Sequence, residues 1–314
     1  MPDRVSIIIP CFNAAATVVE AVESALVQSV GNVEVIVVDD GSTDGSCQLL
    51  NSYAGRVLLE SGPNLGGCAA RNRGLALASG RWIQFLDADD VLHPTKLERQ
   101  LAVSRVNPGR IVYADHVLID EEGQKLGARS LRAEHDDALI SVLEHRTLHT
   151  SGPLYRAEDL LAVGGFREGL NASQEFELNC RLAQYWSKRG VRLLHLAEPL
   201  FTVRRQRQSV SSDTARTFAA LAEPMEEFVL SLDNENALSA ERRAVLARYL
   251  ASIGRQCLRG GQVKAGERLI DLGLHTDARS AALAWGGWSS VFRRLFGVRA
   301  TEKLARLRSE LRLG

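Results

Sequence analysis

No stretch of this chain is apolar for the roughly 20 consecutive residues that a helix needs to span a bilayer. The five cysteines, Cys11, Cys47, Cys68, Cys180 and Cys257, have no paired spacing, which excludes a zinc-finger pattern or a disulfide framework and points to free thiols in a reducing compartment. With a formal net charge of +0, the chain also lacks the global basicity of a nucleic-acid binder, so no nucleic-acid partner is expected. The first residues enter an apolar strand pattern without a charged segment and apolar run before it, so no signal peptide is expected. Together these absences predict a cytoplasmic protein. The glycines of Asn64-Leu65-Gly66-Gly67 have neither the Walker lysine nor the dinucleotide spacing, which excludes a phosphate loop and leaves close backbone approach at a helix start as their use.

What is present is a pair of acidic strand ends. Trp82-Ile83-Gln84-Phe85-Leu86 runs into Asp87-Ala88-Asp89-Asp90, and Glu34-Val35-Ile36-Val37-Val38 runs into Asp39-Asp40-Gly41-Ser42-Thr43-Asp44. An apolar run that stops at acids reads as a buried strand whose tip leaves the core, where open α/β sheets bind ligands. The first group alone divides between two uses: holding a divalent cation, or capping the helix near Pro94 and Thr95. The second group favours the cation, because right-handed crossovers put both tips on one edge of a parallel sheet. Mg²⁺ or Mn²⁺ prefers oxygen ligands, and a nucleoside diphosphate is its natural companion. Ser42 or Thr43 is expected to cap the following helix. Val5-Ser6-Ile7-Ile8-Ile9 ends at Pro10-Cys11-Phe12-Asn13, bringing a ring and an amide to the same edge, where Phe12 either stacks on a base or packs in the core.

These strand ends, with Gly67-Cys68-Ala69-Ala70-Arg71-Asn72-Arg73-Gly74, resemble in order and spacing the donor-binding half of a family 2 glycosyltransferase. The resemblance covers about two-thirds of the chain and implies an α/β GT-A fold, Rossmann-like, with a mostly parallel sheet flanked by helices. It also implies a nucleotide-sugar donor. By similarity Pro10 and Phe12 line the base pocket with Asn13 beside them, and Asp40 or Asp39 hydrogen-bonds the base, a carboxylate there favouring the imide N–H of uracil. Arg71 approaches the base or the diphosphate, Asp87 contacts the ribose, and Asp89, with Asp87, holds Mn²⁺ or Mg²⁺.

Glycosyl transfer also needs a base for the acceptor hydroxyl. The family places an acid pair, usually Glu-Asp, after a Gly-Gly-Phe loop. Here Gly164-Gly165-Phe166 precedes Gln174-Glu175, so Glu175 becomes the general base and Gln174 replaces a carboxylate. The competing reading of Glu175 and Glu177 is first-turn acids favoured by the helix dipole. A second departure lies in Arg204-Arg205-Gln206-Arg207-Gln208, where Gln206 stands at a position often held by histidine; a neutral amide binds hard cations weakly. His149 lines the acceptor side or is structural. The mechanism implied is a single inverting displacement onto a glycan, lipid-linked or other hydroxyl.

Helices are expected over 16–28, 66–78, 95–105, 215–232 and 240–258, with another ending near Leu274. The expected division is a GT-A domain over 1–212, its donor half 1–109 and its acceptor half 110–212, followed by a helical region over 213–314. That region covers the acceptor side or forms a homodimer. Its last part sets Trp285, Trp288, Phe292 and Phe296 among Arg293, Arg294, Arg299, Lys303, Arg306, Arg308 and Arg312, which suits peripheral contact with an anionic membrane or a docked helix with a solvated basic face. Two other classes compete. A sugar nucleotidyltransferase would carry a glycine-rich, arginine-containing loop after the first strand, where Pro10-Cys11-Phe12-Asn13 stands. A catalytically weak or inactive nucleotide-sugar binding protein of the same fold is the stronger rival, given Gln174 and Gln206.

Overall fold

The computed structural model describes residues 3–130, 135–145, 148–206 and 213–285. The chain divides into two compact units, 1–170 with 174–209, and 171–173 with 210–314. Arg207 to Ser211 and the basic aromatic stretch from Trp288 to Arg312 lie outside the described residues, and of Trp285 only the backbone is described.

The first unit begins with β1 (Val5–Cys11), α1 (Val18–Leu26), β2 (Val33–Asp39), α2 (Ser46–Asn51), β3 (Leu58–Ser61), α3 (Gly67–Leu77) and β4 (Trp82–Phe85). It continues with β5 (Val91–Leu92), α4 (Lys96–Val106), β6 (Arg110–Ile119), β7 (Lys125–Arg129), α5 (Ala138–His145), β8 (Tyr155–Arg156), α6 (Ala157–Ala162), α7 (Gln174–Ser187) and β9 (Arg192–Arg204). One sheet has the order β3-β2-β1-β4-β8, with β1 to β4 parallel and β8 antiparallel at the edge; a second runs β5-β9-β6-β7.

Helices on both faces explain why β1 and β2 are almost continuously apolar instead of alternating. Ile7, Ile8, Ile9, Ile36, Val37 and Val38 are all fully buried. Each such side chain contributes about 1.5–3 kcal/mol through loss of contact with water. Register then fixes the edge: Cys11 stands opposite Asp39, Ile8 opposite Phe85, and Leu86 N–H donates to Ile8 O at 2.9 Å. The chain past Phe85 therefore emerges beside the tips of β1 and β2. The expectation that both acidic tips share an edge is met.

α3 lies against β1 and β2, and Gly74 sets how close it comes. A Cβ on Gly74 would collide with Ile8 Cγ2 and sit 3.4 Å from Val38 Cγ2. The glycine pair before α3 acts at its start: Gly66 has φ 92°, and a Cβ on Gly67 would lie 3.0 Å from Arg71 Nη1.

The second unit contains α8 (Thr214–Ala219), α9 (Ala222–Asn234), α10 (Ala240–Arg259) and α11 (Val263–Ala282). The single helix expected over 215–232 is broken at Ala220 and Leu221. Pro224 is the reason: it has no N–H and its ring would strike the carbonyl four residues back, so it is accommodated in the first turn of a new helix. Ser239 caps α10, accepting from Arg242 N–H at 3.2 Å. The α10 to α11 connection turns at Gly261, where φ is 82°. The two helices approach through glycines, since a Cβ on Gly254 would stand 2.8 Å from Gly266 O. α11 runs past Leu274 and is interrupted at Asp277, whose side chain accepts from the Arg279 and Ser280 N–H groups. No described helix is long and apolar enough to cross a membrane.

Gly74→Ala is expected to lower the unfolding free energy by about 1–3 kcal/mol through overpacking between α3 and β1. Urea denaturation followed by circular dichroism measures it, and an unchanged midpoint would mean that α3 can shift at no cost.

Candidate functional site

At the β2 tip, two adjacent carboxylates have different surroundings. Asp40 is 2% exposed and accepts from Leu65 N–H at 3.1 Å, Gly66 N–H at 2.8 Å and Arg73 Nη2 at 2.6 Å. Both of its oxygens hold the loop that leads into α3. Asp39 accepts one long bond, from Ser42 N–H at 3.3 Å. Of the two acids named by resemblance, Asp39 thus keeps more capacity to accept from a base.

The β1 tip is tied to the same loop through Asn13. Its Oδ1 accepts from Thr43 N–H at 2.8 Å, and its own N–H donates to Ser42 Oγ at 2.9 Å. Asn13 has φ 49°, a left-handed conformation that asparagine tolerates better than most residues. Neither Ser42 nor Thr43 caps α2. Asp44 does that work, accepting from Ser46 N–H at 3.0 Å and Ser46 Oγ at 2.6 Å, because Ser42 already serves Asn13. Phe12 is 50% exposed, so core packing does not account for it, while Pro10 is partly buried.

At the β4 tip the organising group is Arg71, on α3. One arm of its guanidinium donates to Asp87 Oδ1 at 2.6 Å and the other to Gln174 Oε1 at 2.8 Å, and it lies over the Phe166 ring, 5.3 Å from the centroid. Burial pushes the Asp87 carboxyl up, but the Arg71 guanidinium beside it outweighs this and holds Asp87 below the usual range. Asp89 is pushed up to about 6, first by burial and then by the neighbouring Asp87 charge. Gln206 Nε2 donates to Asp89 Oδ2 at 2.9 Å.

Asp90 is almost fully buried, accepting from Ser151 Oγ at 2.9 Å and Arg204 N–H at 3.4 Å. Burial, with the charges of Asp87 and Asp89, raises its carboxyl well above the ordinary value. The capping alternative for Asp89 and Asp90 is not realised: Thr95 makes no side-chain capping bond, and the Leu97 N–H in the first turn of α4 donates to Gln28 Oε1 at 3.2 Å instead.

His149 joins this group. Asp87, Asp90 and His149 offer ligand atoms that all lie within 4.8 Å of one another. Burial lowers the imidazole against the pull of Asp87 and so favours its neutral, lone-pair-bearing form. The sequence reading named Asp89 and Asp87 as the metal residues, whereas this cluster contains Asp87 with Asp90 and His149. The loop carrying His149 is anchored from below: Gln84 Nε2 donates to Ser151 O at 3.0 Å, and Gln100 Nε2 and the fully buried Lys96 Nζ donate to Gly152 O at 2.9 and 3.3 Å. Nothing in the sequence signals this anchoring, because the burial that makes Lys96 seek partners comes only with the tertiary structure.

Glu175 and Glu177 share the first turn of α7 and part in their surroundings. Glu177 is buried and forms a two-pronged pair with Arg181 at 2.7 and 2.6 Å. No hydrogen bond or ion pair engages the Glu175 carboxylate among the described residues. Its charge nevertheless acts on both Arg71 and His149. The edge thus gathers an exposed ring, an accepting carboxylate, a guanidinium, an acid and imidazole cluster, and a carboxylate that no described residue engages.

Comparison with known proteins gives a consistent result. The family model described as Glycosyl transferase family 2 matches residues 6–159. The amylovoran biosynthesis glycosyltransferase AmsB of Erwinia amylovora is 31% identical over 208 residues, covering 62% of this chain and 67% of that protein. Uncharacterized glycosyltransferases of Rickettsia conorii and Rickettsia prowazekii are each 34% identical, over 193 and 182 residues and 55% of this chain. The chain spans 30% and 57% of the lengths of those two relatives. Among solved structures, S. aureus TarS 1-349 in complex with UDP-GlcNAc superposes with a TM-score of 0.67 at 18% identity, covering 97% of this chain and 92% of that one. The first unit thus has the α/β architecture of that glycosyltransferase, and helices follow it. By these matches, and by the motifs that β1, β2, α3 and β4 carry, the chain belongs to glycosyl transferase family 2.

Proposed function

We propose that the protein transfers a sugar from a nucleoside diphosphate sugar to an acceptor hydroxyl, with inversion at the anomeric carbon. The observation that carries this reading is the meeting at one sheet edge of the two acidic strand tips, Arg71 and the unengaged Glu175. A UDP-sugar is favoured, because Asp39 can accept from the uracil imide N–H while Pro10 and Phe12 flank the base. The TarS complex with UDP-GlcNAc supports the same nucleotide. Residues 1–109 form the donor half and 110–212 the acceptor half of a GT-A domain, with 213–314 as a helical extension. The acceptor is a glycan, lipid-linked or other hydroxyl compound.

Glu175 takes the proton from the acceptor oxygen as that oxygen attacks, and no covalent enzyme intermediate is needed. Asp87 and Arg71 orient the ribose and the diphosphate, and holding donor and acceptor in line lowers the barrier further. The oxygen and imidazole donors at the β4 tip fit Mn²⁺ or Mg²⁺, held by Asp89 and Asp87 or by Asp87, Asp90 and His149. Such an ion supplies charge neutralisation to the departing diphosphate. The rival reading, a nucleotide-sugar binding protein with weak or no turnover, is motivated by Gln174 and Gln206.

Donor hydrolysis and transfer, assayed with and without Mn²⁺, decide between them. Glu175→Gln is expected to reduce turnover by about 10²–10⁴-fold with donor affinity nearly unchanged. Equal turnover in the variant removes Glu175 as the base, and tight donor binding by the native protein without turnover supports the rival. Asp39→Asn is expected to weaken UDP binding about 10-fold in calorimetry with little change in stability, since one hydrogen bond to a charged acceptor is lost. Asp40→Ala is expected instead to destabilise the fold by about 3–5 kcal/mol, leaving Arg73 without its buried partner. Protons compete with the cation at Asp89, so Mn²⁺ affinity is expected to fall as pH drops through about 6 and to be steady above it. A flat titration between pH 5 and 7 would exclude Asp89 as a ligand.

A further inference from the structure

We propose that Asn72 is a positioning residue for Arg71, acting through the Gly164-Gly165-Phe166 loop. Asn72 follows Arg71 on α3 and grips that loop through both faces of its amide. Its Oδ1 accepts from Phe166 N–H at 2.8 Å, and its Nδ2 donates to Phe166 O at 2.9 Å and to Glu168 Oε1 at 3.0 Å. Every bonding direction matches an amide: a carboxylate has no hydrogen to donate to Phe166 O, and a leucine has neither group. Gly165 is what allows the grip. It has φ 68°, and a Cβ there would lie 2.6 Å from Asn72 Oδ1.

The loop so fastened presents Phe166, which is buried and packs edge-on against Phe85 with centroids 5.1 Å apart. The Phe166 ring lies beneath the Arg71 guanidinium. Arg71 is 9% exposed, and its Nε has no hydrogen-bond partner among the described residues, so ring and fork partners together compensate its burial. The two fork ends reach the donor-side acid Asp87 and, on α7, Gln174, next to Glu175. Gln174 is itself oriented by donating Nε2 to Leu170 O at 2.6 Å. The Asn72 amide is taken up by the loop; through it, Asn72 sets the height and angle of the cation that spans the donor and acceptor sides. This inference rests on the glycosyltransferase reading only for its kinetic consequence, since the mounting of Arg71 is a matter of structure.

A double-mutant cycle tests it. Asn72→Leu and Arg71→Lys are each expected to lower the turnover number about 10-fold or more with a smaller change in KM. The double variant is expected to be no worse than Arg71→Lys alone, because Asn72 acts only through that guanidinium. Phe166→Tyr is expected to keep activity and Phe166→Leu to reproduce Asn72→Leu, both assayed where circular dichroism shows the variants fully folded, so that weakening of the fold is separated from loss of the ring. Multiplicative losses in the double variant overturn the proposal while leaving the glycosyltransferase reading intact. Crystal structures of native and Asn72→Leu protein without substrate give an answer independent of turnover. Displacement of Phe166 from beneath Arg71 supports the mounting, and an unmoved guanidinium and ring overturn it.

Discussion

A guanidinium removed from water must find all its partners within the protein, and the site is arranged around meeting that demand for Arg71. Asp87 supplies the one short ion pair, Gln174 a neutral acceptor, and Phe166 a ring face. Each comes from a different element, so one side chain ties α3, the β4 tip, the Gly-Gly-Phe loop and the start of α7 together. The departure from the family's acid pair falls at this point. With glutamine at 174, the charge of Arg71 is balanced at contact distance, among the described residues, by Asp87 alone, and more of its field remains for a bound anion.

Neighbouring carboxylates are driven apart by the same electrostatics. Asp87, beside the guanidinium, is held below the ordinary range, while Asp89 and Asp90, raised by burial and by the charge of Asp87, are pushed above it. Three acids within four positions cannot all ionise cheaply without a cation, and proton or metal occupancy relieves the repulsion. Asp90 further joins β5 to the His149 loop and to β9 through Ser151 and Arg204. That loop rests on Lys96, whose burial lowers its own pKa and whose N–H groups reach Gln84, Gln100 and Gly152. Structural support and site chemistry are therefore continuous through the core.

Adjacent residues of like type separate by surroundings throughout the molecule. Asp40 is a buttress under Leu65 and Gly66, whereas Asp39 keeps accepting capacity. Glu177 is locked to Arg181, and Glu175 is left unengaged among the described residues. In each pair, one residue has its acceptor capacity taken up within the fold and the other keeps it, because a carboxylate already accepting from a guanidinium or several N–H groups has little left to give a ligand.

By itself the sequence determined the parallel sheet, the common edge of its acidic tips and the family, because continuous apolar runs ending in acids and turns are local patterns with one economical arrangement. It could not determine which member of an acid pair stays free, since Asp39 and Asp40 differ only in what the 62–66 loop and Arg73 bring to them. Nor did it show His149 approaching Asp87 and Asp90, or Asn72 gripping a loop more than ninety residues away; the length of a loop does not specify where its side chains land. The helix break before Pro224 was legible in principle, for proline constrains its own turn. Partner choice at the site came only with the tertiary structure, because burial decides which charges must be paired and folding decides which groups are near enough to pair them.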